Sequence, residues 1–398
     1  MIEGHDILCF APGPWDDIWR NRHQIMTRLA RANRVLYIEP WPELRPVLRR
    51  LRSGELALRD MRGPCLKQVQ QNLYVYQPPL WAPRAGRFPL NAITETLYMA
   101  LLQRTLRRLH VQQPILWLFM PDMEVFIGRF NEKLVIYHIV DEYAGYSGIS
   151  ASWRPVMERM EQQLACRVDL VFVTSPTLLE RKRQLNERIF LVSNAADYEA
   201  FASVLEGPTR IPFDMASISR PIAGYIGAIN EKIDLSLLAR IAQNCLDWSL
   251  VLVGPIAIKD EESLWALNVL QALPNVHFLD RKKVEEVPYY IAACDVCLLP
   301  YRINEWTKNI DSLKLYEYLA CAKPVVATDV PAAQRFSQFV KIARSDTEFI
   351  TSMNSALKED SPALRMERRR IAAQHTWEKR VNELSDAIEA RLQERQLR

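Results

Sequence analysis

The chain has 398 residues, 49% of them hydrophobic and 25% charged, with a net charge of +4. That length favours two domains over one very large core, and the balance is globular. The modest charge excludes a nucleic-acid binder, and the lack of any apolar run of about 18 residues excludes a membrane-spanning segment.

Residues 5–11 read as a first strand, broken by Pro12-Gly13-Pro14-Trp15. No basic stretch precedes it, so the start of the chain reads as structure and not as a signal peptide. The spacing of Ile18, Ile25, Met26 and Leu29 predicts a helix from Asp16 or Asp17 to Arg31, and residues 35–39 a second strand. Strand, helix and strand in so short a span mark a parallel α/β layer. Residues 46–61 and 84–110 are predicted as basic amphipathic stretches. Between Glu43 and His110 there are twelve Lys and Arg against four acids. Such faces suit anionic lipid headgroups, although arginines at a helix end also complement its dipole.

Residues 114–119 and 134–138 are further strands, the second followed by Ile139-Val140-Asp141-Glu142. Polar residues at a strand's carboxyl end line the ligand crevice of an open α/β sheet. Asp141 or Glu142 is therefore placed to accept a proton there, or to cap the next helix. A helix is predicted over 152–166, a strand over 170–174, and a helix opening at Ser175-Pro176. Residues 203–220, with Gly207, Pro208 and Pro212, form the best linker.

The second half opens on the strand 221–229, where Gly227 at the strand end permits close approach of a ligand to the backbone. Strands at 249–255, 276–280 and 295–300 follow, and then a helix with Leu313, Leu315, Tyr316, Leu319 and Ala320 at helical spacing, ended by Lys323 and Pro324, that feeds the strand 324–328. Asp311 or Ser312 offers its N-cap. The first N–H groups of such a helix have no internal partner, so Ser312, Leu313 and Lys314 suit a diphosphate. Glu317, one turn on, suits a pair of ribose hydroxyls.

Lys314, Glu317, Tyr318, Leu319, Ala320, Pro324, Val325 and Val326 fall where the KxxEYLAxxxPVV pattern of the retaining GT-B glycosyltransferases places them, and the segment resembles that family's donor-site helix. Residues 194–201 resemble the end of its first domain, with Ala195 in place of the usual Gly, and 376–381 resemble its SWExR signature. The resemblance implies that Glu317 holds the ribose, that Lys232 lies on the donor phosphates, and that the nucleobase is read near Arg281 and Lys282. It also implies that His138 stands near the transferred sugar and that Trp15, Asp16, Arg20, Arg22 and His23 border the acceptor. For His23 alone, a solvated helix position is the favoured reading. Asn309 occupies the position where the family often has a Glu beside that sugar.

The expected architecture is therefore two facing Rossmann-like domains. Residues 1–202 would present the acceptor, 203–220 link, 221–375 bind the donor, and 376–398 form a helix crossing back onto the first domain. The expected donor is a UDP- or GDP-linked sugar, with no further cofactor, and the expected acceptor is a saccharide or lipid-linked saccharide. There is no P-loop, GxGxxG, GxSxG, HExxH or Asp-x-Asp, so donor activation is assigned to Lys232, Lys314 and helix N–H groups and not to a metal. Seven cysteines, an odd number, point to reduced thiols in a cytosolic protein, at the inner face of the membrane if the basic stretches bind lipid. Two other readings remain on the sequence: a GT-B-fold sugar-nucleotide epimerase, and a non-catalytic nucleotide-sugar-binding component of polysaccharide assembly, which Asn309 supports.

Overall fold

A computed structural model of the chain describes residues 1–57, 59, 61, 63–84, 90–146, 148–207 and 210–397. Parts of the two basic stretches and of the expected linker, including Pro208, lie outside the described residues. The first sheet comprises β1 (Asp6–Phe10), β2 (Arg34–Ile38), β3 (Cys65–Gln70), β4 (Leu73–Gln77), β5 (Ile115–Leu118), β6 (Leu134–Ile139), β7 (Leu170–Val173) and β8 (Ile189–Leu191). Its order is β3-β4-β2-β1-β5-β6-β7-β8, parallel except for the hairpin β3–β4. The second sheet uses β9 (Ile222–Ile226), β11 (Ser249–Val253), β13 (Val276–Leu279), β14 (Val296–Leu299), β15 (Val325–Thr328) and β16 (Val340–Ala343), while β10 (Ile229–Asn230) and β12 (Ile256–Ala257) pair separately. Its order, β13-β11-β9-β14-β15-β16, is the doubly wound arrangement in which the chain reverses direction between β9 and β14. The first sheet reverses in the same way between β1 and β5. Ligands bind beyond the strand ends at such points.

Strands covered on both faces should be apolar throughout, and these are. Ile7, Cys9, Val35 and Tyr37 face one core, while Leu8, Phe10, Leu36 and Ile38 face another on the opposite side. The first of these cores receives Ile25, Met26 and Leu29 from the helix Asn21–Leu29, and Trp377, Val381, Leu384 and Ile388 from the last helix, Trp377–Gln396. The C-terminal helix thus packs on the first sheet after the chain has completed the second. Thr376 is its N-cap, accepting from the Lys379 N–H at 3.3 Å. Arg28 binds Glu378 at 2.8 Å, and Asp169 accepts from Arg391 and Arg395 at 3.1 and 2.9 Å.

Several boundaries differ from expectation. The first helix starts at Asn21 and not near Asp16, because the Trp15 N–H is drawn to Glu39 Oε1 at 2.9 Å and the Trp15–Arg20 segment runs as a loop. The basic stretches contain helices at Leu44–Arg52 and Leu90–Arg108, with the unanticipated hairpin between them. Among the described residues no helix is long and apolar enough to cross a membrane.

Leu384 is fully buried between the crossing helix and the first sheet. Leu384→Ala should destabilise the protein by about 2–5 kcal/mol, read as a lower urea midpoint with little change in slope.

Candidate functional site

At the second sheet's reversal point, two strand ends are pressed together by glycines. Gly227 and Gly254 hold φ values of 143° and 139°, and a Cβ on Gly254 would lie 2.4 Å from the Gly227 carbonyl oxygen. A Cβ on Gly227 would lie 2.3 Å from Lys314 Nζ, so the Lys314 ammonium rests directly on this backbone. Lys314 is the second residue of the helix Leu313–Ala320 and its Nζ lies 5.3 Å from the Tyr225 ring centre. Lys232 sits similarly, 5.5 Å from the ring centre of Tyr301.

The start of that helix is left open. Ser312 is its N-cap residue, but its hydroxyl pairs with Tyr301 Oη at 3.1 Å instead of capping. No acceptor among the described residues meets the Leu313 or Lys314 N–H. These groups and two lysines therefore present concentrated positive potential. Burial lowers the Lys314 pKa to about 8, with Arg20 adding to the effect and Glu317 opposing it. Burial, with Lys314 and Arg20, also holds Lys232 well below an ordinary lysine. The Glu317 carboxyl is pushed up by burial, and among the described residues it forms no ion pair and accepts no hydrogen bond.

Gly227, Lys314 and Glu317 line a cavity of about 480 Å³. One wall continues through Arg281–Val287 after β13, and the facing wall is the Trp15–Arg20 loop of the first sheet. Arg281 joins the two walls, donating to the Asp16 carbonyl at 2.6 Å. The loop is backed by stacked rings: His23 lies 5.6 Å from Trp19 and 5.7 Å from Tyr37. Asp141, beyond β6, is within electrostatic reach of Lys232 and Arg20. Its carboxylate accepts from Tyr146 Oη at 2.8 Å, and burial raises its pKa.

Other expected site residues are placed differently. His138 is enclosed among Trp117, Phe119 and Phe172, where Nδ1 accepts from the Trp117 indole N–H at 3.3 Å. Burial drops its pKa to about 3, so it is a neutral core residue. Asn309 donates to the Glu305 carbonyl at 2.7 Å and closes its own turn, away from the cavity lining. Glu142 is bound by Lys182 at 3.0 Å, within a buried network that includes Glu161. Lys282 turns to Asp214 at 2.6 Å, which leaves Arg281 as the residue bridging to the first sheet. Arg22 donates to Tyr37 Oη at 2.8 Å inside the fold. His23 is fully buried and not solvated, its pKa brought to about 3 by burial and the neighbouring arginines.

One residue expected only as a possible cap is central. The Asp311 carboxylate accepts from the Asn194 N–H at 2.6 Å, Tyr316 Oη at 3.0 Å and Arg335 at 2.9 Å. Its carbonyl accepts from Asn194 Nδ2 at 2.7 Å. No sequence spacing announces a pairing across 117 positions.

Residues 220–358 match the family model described as "Glycosyl transferases group 1". The chain is similar to the putative teichuronic acid biosynthesis glycosyltransferase TuaH of Bacillus subtilis, 24% identical over 393 residues and 94% of each chain. Its fold is similar to that of sucrose-phosphate synthase from Thermosynechococcus elongatus, with a TM-score of 0.70, 14% identity and coverage of 97% and 98% of the two chains. It is also similar to Anabaena HepE, solved with UDP and glucose, with a TM-score of 0.66, 15% identity and coverage of 97% and 100%.

Lys314 carries its proton below about pH 8. Pyrophosphate binding measured by calorimetry, corrected for the ligand's own ionisation, should therefore weaken as the pH rises past about 8, by up to about tenfold per unit from this group. Lys314→Arg should keep its affinity past pH 8, because guanidinium does not titrate there.

Proposed function

The chain is a group 1 glycosyltransferase of the GT-B fold, and from that premise we propose that it transfers a sugar from a UDP-linked donor to a saccharide or lipid-linked acceptor. One observation carries the reading: a single cavity joins a helix start with open N–H groups, a carboxylate one turn deeper, and a loop from the opposite sheet. The diphosphate would lie on the Leu313 and Lys314 N–H groups beside Lys232 and Lys314, and the ribose hydroxyls on Glu317. The base would face residues 281–287. UDP is favoured over other nucleotides because the structurally similar HepE was solved with it.

In the reaction, the bond from the anomeric carbon to the β-phosphate oxygen breaks and one to the acceptor oxygen forms. The negative charge that develops on the departing diphosphate is met by donors already in place, which needs little reorganisation. Asp141, raised in pKa and facing this region from the first sheet, would take the acceptor proton. His138 and Asn309, both tied elsewhere, have no part in this scheme. The likeness of the 314–326 segment to retaining enzymes supports retention of anomeric configuration. The similarity to TuaH supports a role in building a surface polysaccharide.

A membrane-associated acceptor has its own support. Leu90, Ile93 and Leu97 are exposed on the helix Leu90–Arg108, and helical spacing puts them on the same stripe as Arg104 and Arg108. We propose that this face rests on an anionic lipid surface. The protein should sediment with vesicles containing phosphatidylglycerol and not with pure phosphatidylcholine, and Ile93→Asp should abolish that.

The donor reading is tested by thermal unfolding with UDP, GDP and ADP. At a hundred times its dissociation constant, UDP should add about 2.7 kcal/mol of stability to the wild type. Glu317→Ala should remove most of that gain while unfolding normally without ligand. If UDP leaves the wild-type melt unmoved at saturating concentration, the assignment fails.

A further inference from the structure

The cavity receives a third cation, and it comes from the other sheet. Arg20 ends the Trp15–Arg20 loop and lines the cavity with Gly227, Lys314 and Glu317. Its side chain is exposed, and the acids near it are engaged elsewhere. Asp17 faces Arg22 at 3.8 Å, Glu39 accepts from the Trp15 N–H, and Asp141 accepts from Tyr146. Among the described residues Arg20 forms no ion pair.

Its position is fixed from below. The Arg20 N–H donates to His23 Nδ1 at 3.0 Å, and His23 is fully buried among Trp15, Trp19 and Tyr37. The electrostatic influence of Arg20 reaches Lys232, Lys314, Tyr225 and Tyr301, the groups grouped around the helix start. Arg20 from the first sheet and Lys314 from the second thus line one cavity, with Lys232 within their electrostatic reach, and the carboxylates that act on them, Glu317 and Asp141, form no ion pair with them among the described residues. Like charges gathered in this way repel each other until an anion joins them.

We propose that Arg20 grips the donor diphosphate from the first-sheet side, so that the anion is held by both halves of the molecule at once. This rests on the nucleotide-sugar reading above and adds a residue to it. Guanidinium suits the task, because its planar fork of donors matches phosphate oxygens and it stays charged at any working pH. The lysines supply point charges from the second sheet, and Arg20 supplies direction from the first. Diphosphate binding would then favour the closed arrangement of the cleft, the one in which all three cations reach it.

The test is calorimetric titration of UDP and UMP into the wild type, Arg20→Ala, Arg20→Lys and Lys314→Ala. Arg20→Ala should weaken UDP binding at least tenfold and UMP binding much less, collapsing the preference for the diphosphate, while its melting temperature without ligand stays unchanged. Arg20→Lys should recover part of the loss. If Lys314→Ala weakens UDP but Arg20→Ala leaves the UDP-to-UMP preference at its wild-type value, this inference is overturned and the donor site stands. If the wild type binds no UDP, the donor assignment itself falls and this inference falls with it.

Discussion

Two sheets can share one site only if their strand ends are held face to face, and the buried Asp311 carboxylate is where this is done. An isolated charge in such a place would cost several kcal/mol, so it persists only with donors on every side. Those donors come from both halves: Asn194 closes the first, while Tyr316 and Arg335 belong to the second. Burial pushes the Asp311 pKa up, and Arg335 and the Asn194 N–H pull it back. Asp311 directly precedes the N-cap of the helix Leu313–Ala320. The clamp therefore fixes the position of the helix's open N–H groups relative to the first sheet. Ser175 to the Asn309 carbonyl, at 2.7 Å, and Arg181 to Glu305, at 3.0 Å, reinforce the same edge. Across the cavity the link is thinner: among the described residues it is the hydrogen bond from the Arg281 guanidinium to the Asp16 carbonyl. Firm on one edge and light on the other is the arrangement a closing cleft needs.

The charges in this molecule divide by whether they are satisfied. Glu142 with Lys182 and Glu161, Asp169 with Arg391 and Arg395, and Arg28 with Glu378 and Asp197 are all paired. Among the described residues Arg20, Lys232, Lys314 and Glu317 form no ion pair; Arg20, Lys314 and Glu317 line the cavity, and Lys232 lies within electrostatic reach of Lys314 and Arg20. Two like unit charges 4 Å apart repel by about 4 kcal/mol at an effective dielectric near 20. On the proposed reading this repulsion is a cost the folded protein carries, and a bound diphosphate would convert it into attraction. The packed core and the paired charges elsewhere hold the cluster together when no anion is there.

Much of this was legible in the sequence because it is written locally. Apolar runs mark parallel strands, and the 311–332 segment carries its helix, its charges and the following strand within about twenty residues. What could not be read depends on direction and distance. His138 occupies a strand whose neighbours point alternately to opposite faces, and one position of alternation puts its ring in the core instead of the cleft. Glu142 and Asp141 are adjacent, yet one is consumed by Lys182 and the other faces Lys232. The strand Cys65–Gln70 was missed because it lies mostly exposed at a sheet edge and shows no apolar alternation. Asp311 and Asn194 meet only through the tertiary fold.

The two histidines also settle where the site's response to pH can originate. Burial holds His138 and His23 near pKa 3, so neither changes charge between pH 5 and 9. His23 underlies the loop that carries Arg20, so no charge appears beneath that loop across the same range. The groups free to titrate are Lys314, near 8, Lys232, lowered by burial and its cationic neighbours, and the raised carboxyls of Asp141 and Glu317. On the proposed reading the carboxyls must lose their protons to accept from an acceptor or a ribose, and the lysines must keep theirs to hold a phosphate. Activity would then be confined between them, falling on the acid side as the carboxyls protonate and on the basic side as the lysines discharge. A histidine-centred mechanism would place its acid limb at an imidazole pKa, and among the described residues no histidine lines the cavity.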